Sequence, residues 1–151
     1  MPLAPCALLA IFAAGCGRPD SEVASSIKQL LANDPATASL DISVVVRRGV
    51  AYLSGETTTC AEQERAIELA RKVEGVSDVE NHLQIKDELL AAAVKKALSA
   101  EPLLTEVPID VDSRNGHIRL MSDRTDREHR ERAVAVARNL CGVREVEDRM
   151  K

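Results

Sequence analysis

The chain has 151 residues, with 20 Lys or Arg against 24 Asp or Glu and a formal charge of −4. One Tyr, one Phe and no Trp give no stacking platform for bases or sugar rings, and the acidic balance opposes a phosphate backbone, so nucleic acid is excluded as a partner. A 45% hydrophobic and 29% charged composition suits one folded domain or two small ones, and no stretch reaches the roughly 18 apolar residues of a membrane span.

Residues Ala7 to Ala14 form a short apolar run that ends in Ala13-Ala14-Gly15-Cys16 and is followed by polar Gly17, Arg18, Pro19, Asp20 and Ser21. This resembles a bacterial lipoprotein signal, with residues 1–15 as leader and 16–19 as tether. Small residues precede a Cys that in such proteins is acylated and becomes the mature N-terminus. Two departures are visible: the leader has no Lys or Arg, and Ala13 stands where Leu is commonest. The alternative is an ordinary secretory signal cleaved near the same Ala-Gly pair. Either way the mature chain lies outside the cytoplasm, and acylation at Cys16 would hold it stably on a bilayer. Cys60 and Cys141 are then two thiols in an oxidising compartment. They hold different places in the repeat described next, so a disulfide and two free thiols are both compatible with the sequence.

Sliding the chain by 67 positions aligns residues 20–84 with 87–151 without a gap. Asp20 matches Asp87, Pro35 matches Pro102, Gly49 matches Gly116 and Leu53 matches Leu120. Glu64-Arg65-Ala66 matches Glu131-Arg132-Ala133, and Gly75-Val76 matches Gly142-Val143. Two domains follow, 20–85 and 86–151, with no flexible linker between them.

Each copy reads helix, strand, strand, helix, strand. Val23, Ile27, Leu30 and Leu31 make one helical stripe, repeated by Leu90, Val94, Ala97 and Leu98, and Pro35 and Pro102 stop these helices. Ile42, Val44 and Val46 alternate with polar or outward positions, a turn falls at Arg47-Arg48-Gly49, and Ala51 and Leu53 return on a second strand. The second copy turns at Arg114-Asn115-Gly116, a strong hairpin signal. The second helix is expected to start near Thr59 with Glu62 three residues on, and near Thr125 with Glu128 three residues on, as capping boxes. Gly75 and Gly142 are placed as left-handed residues ending that helix. The last strand is read with Val79, Asn81, Leu83 and Ile85 inward.

The pattern resembles the BON domain, a bacterial αββαβ module. It is carried by Gly49-Val50, Leu53-Ser54-Gly55, Arg65-Ala66, Ala70, Gly75-Val76, Val79 and Asn81. The second copy keeps Gly116, Leu120, Arg132-Ala133, Ala137, Gly142-Val143 and Val146, but has Met121-Ser122 for Ser54-Gly55 and Asp148 for Asn81. The resemblance implies an α+β fold of two tandem domains, each a small three-stranded mixed sheet covered by two helices on one face. It implies a non-catalytic envelope protein on the periplasmic side, outer membrane by preference, that serves membrane integrity or osmotic stress tolerance and contacts phospholipid or other envelope components. No cofactor or metal is called for, and Gly49, Gly75, Gly116 and Gly142 are matched as structural positions. His82, His117 and His129 have no accompanying nucleophile elbow or metal-binding helix and read as surface histidines.

The copies differ most in surface charge. Residues 20–84 hold 6 basic and 11 acidic side chains, and residues 87–151 hold 12 and 13. Arg124, Arg127 and Arg130 replace Thr57, Cys60 and Gln63, while His117 and Arg119 replace Val50 and Tyr52. Arg127, Arg130 and Arg138 share a helix flank, which with Arg124, His117 and Arg119 is the candidate contact for anionic lipid headgroups. The competing reading is an ordinary salt-bridged surface, with Glu128 paired to Arg132 and Glu131 between Arg127 and Arg138. Val45, Val50 and Tyr52 form the candidate partner face of the first copy, with Leu89 and Ala93 as a possible cover from the second. That face fits a soluble periplasmic adaptor as the alternative function.

Overall fold

The computed structural model describes residues 17–123 and 125–151. The first unit runs α1 (Asp20–Asn33), β1 (Ile42–Arg47), β2 (Val50–Thr57), α2 (Cys60–Arg71) and β3 (Asp78–Ile85). The second runs α3 (Asp87–Ala100), a 3-10 turn (Pro102–Leu104), β4 (Asp110–Arg114), β5 (His117–Ser122), α4 (Arg127–Arg138) and β6 (Glu145–Met150). In each sheet the middle strand is antiparallel to the strand before it and parallel to the one reached through the second helix, giving the orders β1-β2-β3 and β4-β5-β6. The α+β class, the three-stranded mixed sheets and the tandem αββαβ units are as the repeat predicts.

Alternation along the strands decides which face is buried. Val44 and Val46 on β1 and Ala51 and Leu53 on β2 turn inward onto Val23, Ile27 and Leu31 of α1 and Ala66, Leu69 and Ala70 of α2. The second core repeats this with Ile118 and Leu120 against Leu90, Val94, Leu98, Ala133 and Ala137. Among the described residues no aromatic side chain enters either core, so density comes from small and branched aliphatics in close approach. Leu30 is the exception to its stripe, on the shoulder of α1 and 39% exposed.

One arrangement recurs at the head of both units. The hairpin tips are two-residue turns with positive φ at Arg48 and Gly49, and at Asn115 and Gly116. The first residue of the preceding helix closes over each tip. Asp20 accepts from the Arg48 and Gly49 amides at 2.7 and 3.1 Å. Asp87 accepts from Asn115 and Gly116 at 2.9 and 3.3 Å and from Ser113 Oγ at 2.8 Å. The turn after the second helix packs on the same tip, where Ser77 N donates to Gly49 O at 2.7 Å and Arg144 N to Gly116 O at 2.8 Å. A Cβ on Gly49 would stand 3.1 Å from Gly75 O, and one on Gly116 would stand 2.9 Å from Gly142 O. The four matched glycines therefore meet in two pairs.

Gly75 and Gly142 have the expected positive φ, +99° and +87°, but not the expected place. The helices end earlier, at Lys72 and Asn139, both in right-handed conformation. Each glycine is the third residue of a separate turn closed by Val76 N to Val73 O at 3.1 Å or Val143 N to Leu140 O at 3.3 Å.

Three further expectations are corrected. Thr59 and Glu62 form the anticipated capping box, but α4 is capped by Asp126, which accepts from His129 N, while Thr125 bonds to Lys151 O. The 67-residue shift sets Asp126, not Thr125, against Thr59. Asn81 is exposed, and its Oδ1 accepts from Leu83 N at 2.9 Å. Asp148 repeats this with Met150 N at 2.9 Å, so the substitution keeps an acceptor that occupies an amide of the edge strand. Ile85 ends β3 yet belongs to the second core, lying against the Gly142 turn.

Each first helix is also tied to its second by the same ion pair. Asp34 meets Arg65 at 2.7 Å and, 67 residues on, Glu101 meets Arg132 at 2.9 Å. Between the units, Cys60 at the start of α2 is bonded to Cys141 in the turn after α4, across 81 residues of sequence. Closing a loop of that size removes chain entropy equivalent to about 4 kcal/mol in the unfolded state.

Burial works to raise the Asp87 pKa, but its hydrogen bonds from Asn115, Ser113 and Gly116 outweigh it and hold the carboxyl below its ordinary value. A group depressed in the folded state contributes stability above its unfolded pKa, about 3.9, and loses it as pH falls through the folded value. Urea midpoints should therefore be flat near neutrality and fall below about pH 4, with a shallower acid limb for Asp87→Asn. Gly142→Ala should cost at least about 1 kcal/mol from its left-handed backbone alone. The added Cβ would also lie 2.7 Å from Ile85 Cδ1. Ile85→Val removes that atom, so a double-mutant cycle should show the two changes to be coupled.

Candidate functional site

The basic flank of α4 converges as the helical spacing predicts. Arg127, Arg130 and Arg138 line one open concavity with Glu131, Val134, Ala135 and Asp148. Arg127 is paired with Glu131 at 2.7 Å, and 86% of its side chain stays exposed. Arg130 donates to Met150 O at 3.3 Å. Neither Arg130 nor Arg138 has a carboxylate partner among the described residues. Arg132 reaches Glu101 rather than the expected Glu128. Arg124, with Cys16 and the leader, lies outside the described residues.

His117 and Arg119 lie elsewhere, on the open face of the second sheet. Parallel pairing puts Glu145 and Glu147 directly beside them. His117 Nδ1 is 3.0 Å from Glu145, and Arg119 is 2.9 Å from Glu147 and 3.7 Å from Asp112. Arg149 also reaches Glu147. Hydrogen bonds from Arg119 and then Arg149 hold the Glu147 carboxyl below the usual range. On this face Arg119 already faces two carboxylates, and His117 is held by a hydrogen bond to a third. The sequence named its cations, but their cross-strand partners needed the register.

On the first sheet Val45, Val50 and Tyr52 do lie on the open face. Val45 is opposite Tyr52, and 45% of it is exposed. Tyr52 stacks on His82 with ring centroids 6.3 Å apart. Leu89 and Ala93 remain exposed on α3 and do not cover this face. The first-copy counterparts of Arg127 and Arg130 are not surface equivalents. Cys60 is in the disulfide, and Gln63 is buried, donating to Thr57 Oγ1 at 3.1 Å. Among the described residues no group of three or more His, Cys, Asp or Glu is placed to hold a metal ion.

Two α+β units, one with a half-apolar and one with a charged open face and joined head to end, define a tandem module. The BON domain family model matches residues 19–87 and again 86–151, and the chain belongs to that family. It is 26% identical over 144 residues to Osmotically-inducible protein Y of Escherichia coli (strain K12), covering 87% of this chain and 72% of that protein. Among solved structures it is similar to the C-terminal domain of CdsD, the structural protein of the Type III secretion system of Chlamydia trachomatis. That similarity has a TM-score of 0.46 and 18% identity over 87% of this chain and 65% of that one, so the chain spans just under two thirds of it. A second CdsD structure gives 0.39 and 11%, over 85% of this chain and 91% of that one.

Exposed ion pairs contribute up to about 1 kcal/mol and often less. Arg119→Gln should therefore leave the urea midpoint almost unchanged. A loss as large as that of Gly142→Ala would mean that these ion pairs hold the sheet together.

Proposed function

We propose that this protein is a non-catalytic tethering lipoprotein of the bacterial envelope, anchored through Cys16 and contacting anionic phospholipid headgroups through the α4 concavity. The observation that carries the reading is the convergence of Arg127, Arg130 and Arg138 on one open surface, with Arg130 and Arg138 unmatched by any described carboxylate. His117 and Arg119 are less suited, because a headgroup there would have to displace Glu145 and Glu147. The Cys60–Cys141 bond supports an oxidising, extracytoplasmic location. It also leaves Cys16 as the thiol at the expected processing site. The name of the Escherichia coli relative supports a role under osmotic stress.

A second reading is favoured by the uncovered Val45, Val50 and Tyr52 face, which suits a protein partner of a periplasmic adaptor.

A soluble form beginning at Gly17, which keeps the Asp20 clasp, should sediment weakly with vesicles containing anionic lipid. Binding should fall as salt shortens the Debye length. Arg130→Gln with Arg138→Gln should remove most of it, at about 1 kcal/mol per basic side chain near the surface. Equal binding to neutral vesicles, or no effect of these changes, would favour the adaptor. For the anchor, Cys16→Ser should leave an unprocessed or soluble chain in fractionated cells.

A further inference from the structure

The units repeat in register, so each position at the junction inside the chain has a counterpart on the other unit. The junction is made where α2 starts and β3 finishes in the first unit, against the turn after α4 in the second. Cys60 is bonded to Cys141 there, and Ile85 fills the space over Gly142. A shift of 67 carries Cys60 onto Arg127 and Cys141 back onto Glu74. The second unit thus carries a cation where the first carries Cys60. The first unit carries an anion where the second carries Cys141. Both positions are exposed, and Glu74 has no ion-pair partner among the described residues.

We propose that copies of this chain associate head to tail, the N-terminal end of α4 in one copy seating on the Val73–Val76 turn of the next, with Arg127 paired to Glu74 where the disulfide stands inside each chain. The occupant is a second copy because both halves of the contact are present on this chain and Glu74 and Arg127 are of opposite charge, Arg127 exchanging its 2.7 Å pairing with Glu131 for Glu74 of the next copy. Such a contact is heterologous: each association leaves a free head and a free tail, and growth gives an open array rather than a closed dimer. It is weaker than the internal junction for two reasons. An exposed ion pair replaces a covalent bond. Arg18 also takes the place of Ile85, its Cβ 3.9 Å from where a Gly75 Cβ would stand. The contact is therefore reversible and depends on protein concentration.

The test is the full chain carrying Glu74→Cys together with Arg127→Cys, oxidised and run on a non-reducing gel. The expected result is a ladder of dimer, trimer and higher species that collapses on reduction, with linked peptides joining positions 74 and 127 and each single variant monomeric. A monomeric double variant, or dimers from either single variant, would overturn the proposal, the latter because it indicates a symmetric contact. Charge exchange gives a second measurement. Glu74→Lys or Arg127→Glu alone should abolish the concentration-dependent rise in sedimentation coefficient, and the two together should restore it. If the pair fails to restore it, the proposed contact is wrong. Arg127 also lines the headgroup concavity, so the two readings are told apart at Glu74, which does not line it. Glu74→Lys should lose self-association and retain the vesicle binding that depends on Arg130 and Arg138, so either reading can fail without the other.

Discussion

The aspartate that opens each unit holds the rest in place. Asp20 and Asp87 sit at helix N-termini, where a carboxylate is favoured by the helix dipole, and spend that charge on the amides of a hairpin tip about 28 residues away. The tip must have positive φ at two residues, and the glycine turn after the second helix must approach it within hydrogen-bonding distance. First helix, hairpin and second helix therefore converge on one backbone cluster, and the sheet order follows from it. A side chain on Gly49 or Gly116 would push that cluster apart, and one on Gly75 or Gly142 would run into Val23 or Ile85, which explains why the four match between copies better than most of the core.

Much of this was legible because the chain states it twice. The helices follow from the Val23 and Leu90 stripes, and the strands from alternation at Val44, Leu53 and Leu120. The roles of particular polar residues were not legible, because they depend on partners distant in sequence. Arg65 and Arg132 match between copies as letters, but only the fold brings each to the carboxylate just past the first helix. Asn81 reads as one more inward position until the edge of the sheet shows that its carbonyl occupies a free amide. Thr125 and Asp126 are both good caps, and a short motif match chose the wrong one where the repeat register would have chosen the right one. The basic flank of α4 was found because helical spacing fixes direction. The neutralisation of His117 and Arg119 was not, because it depends on parallel register.

The two copies divide their labour by surface rather than by fold. The first keeps an apolar trio on its open face and an acidic balance, and its Gln63 is drawn inward to the buried Thr57. The second replaces that trio with charges that satisfy one another and turns its unmatched cations to the α4 side. Duplication lets the aspartate, glycine and ion-pair scaffold stay fixed while the two surfaces diverge, since neither depends on what the open sheet faces carry.

The bond between Cys60 and Cys141 also orders events during synthesis. The first unit can be complete at Ile85 while Cys60 is still a lone thiol, and its partner emerges only near the end of the second unit. Ile85 meanwhile waits for the Leu90 and Gly142 surface that will cover it. A chain that stops before Cys141 therefore cannot close the bond and keeps a free thiol beside an uncovered apolar side chain. The finished crosslink marks a chain whose two halves have both been made and folded, and a truncated product stays chemically distinguishable from it.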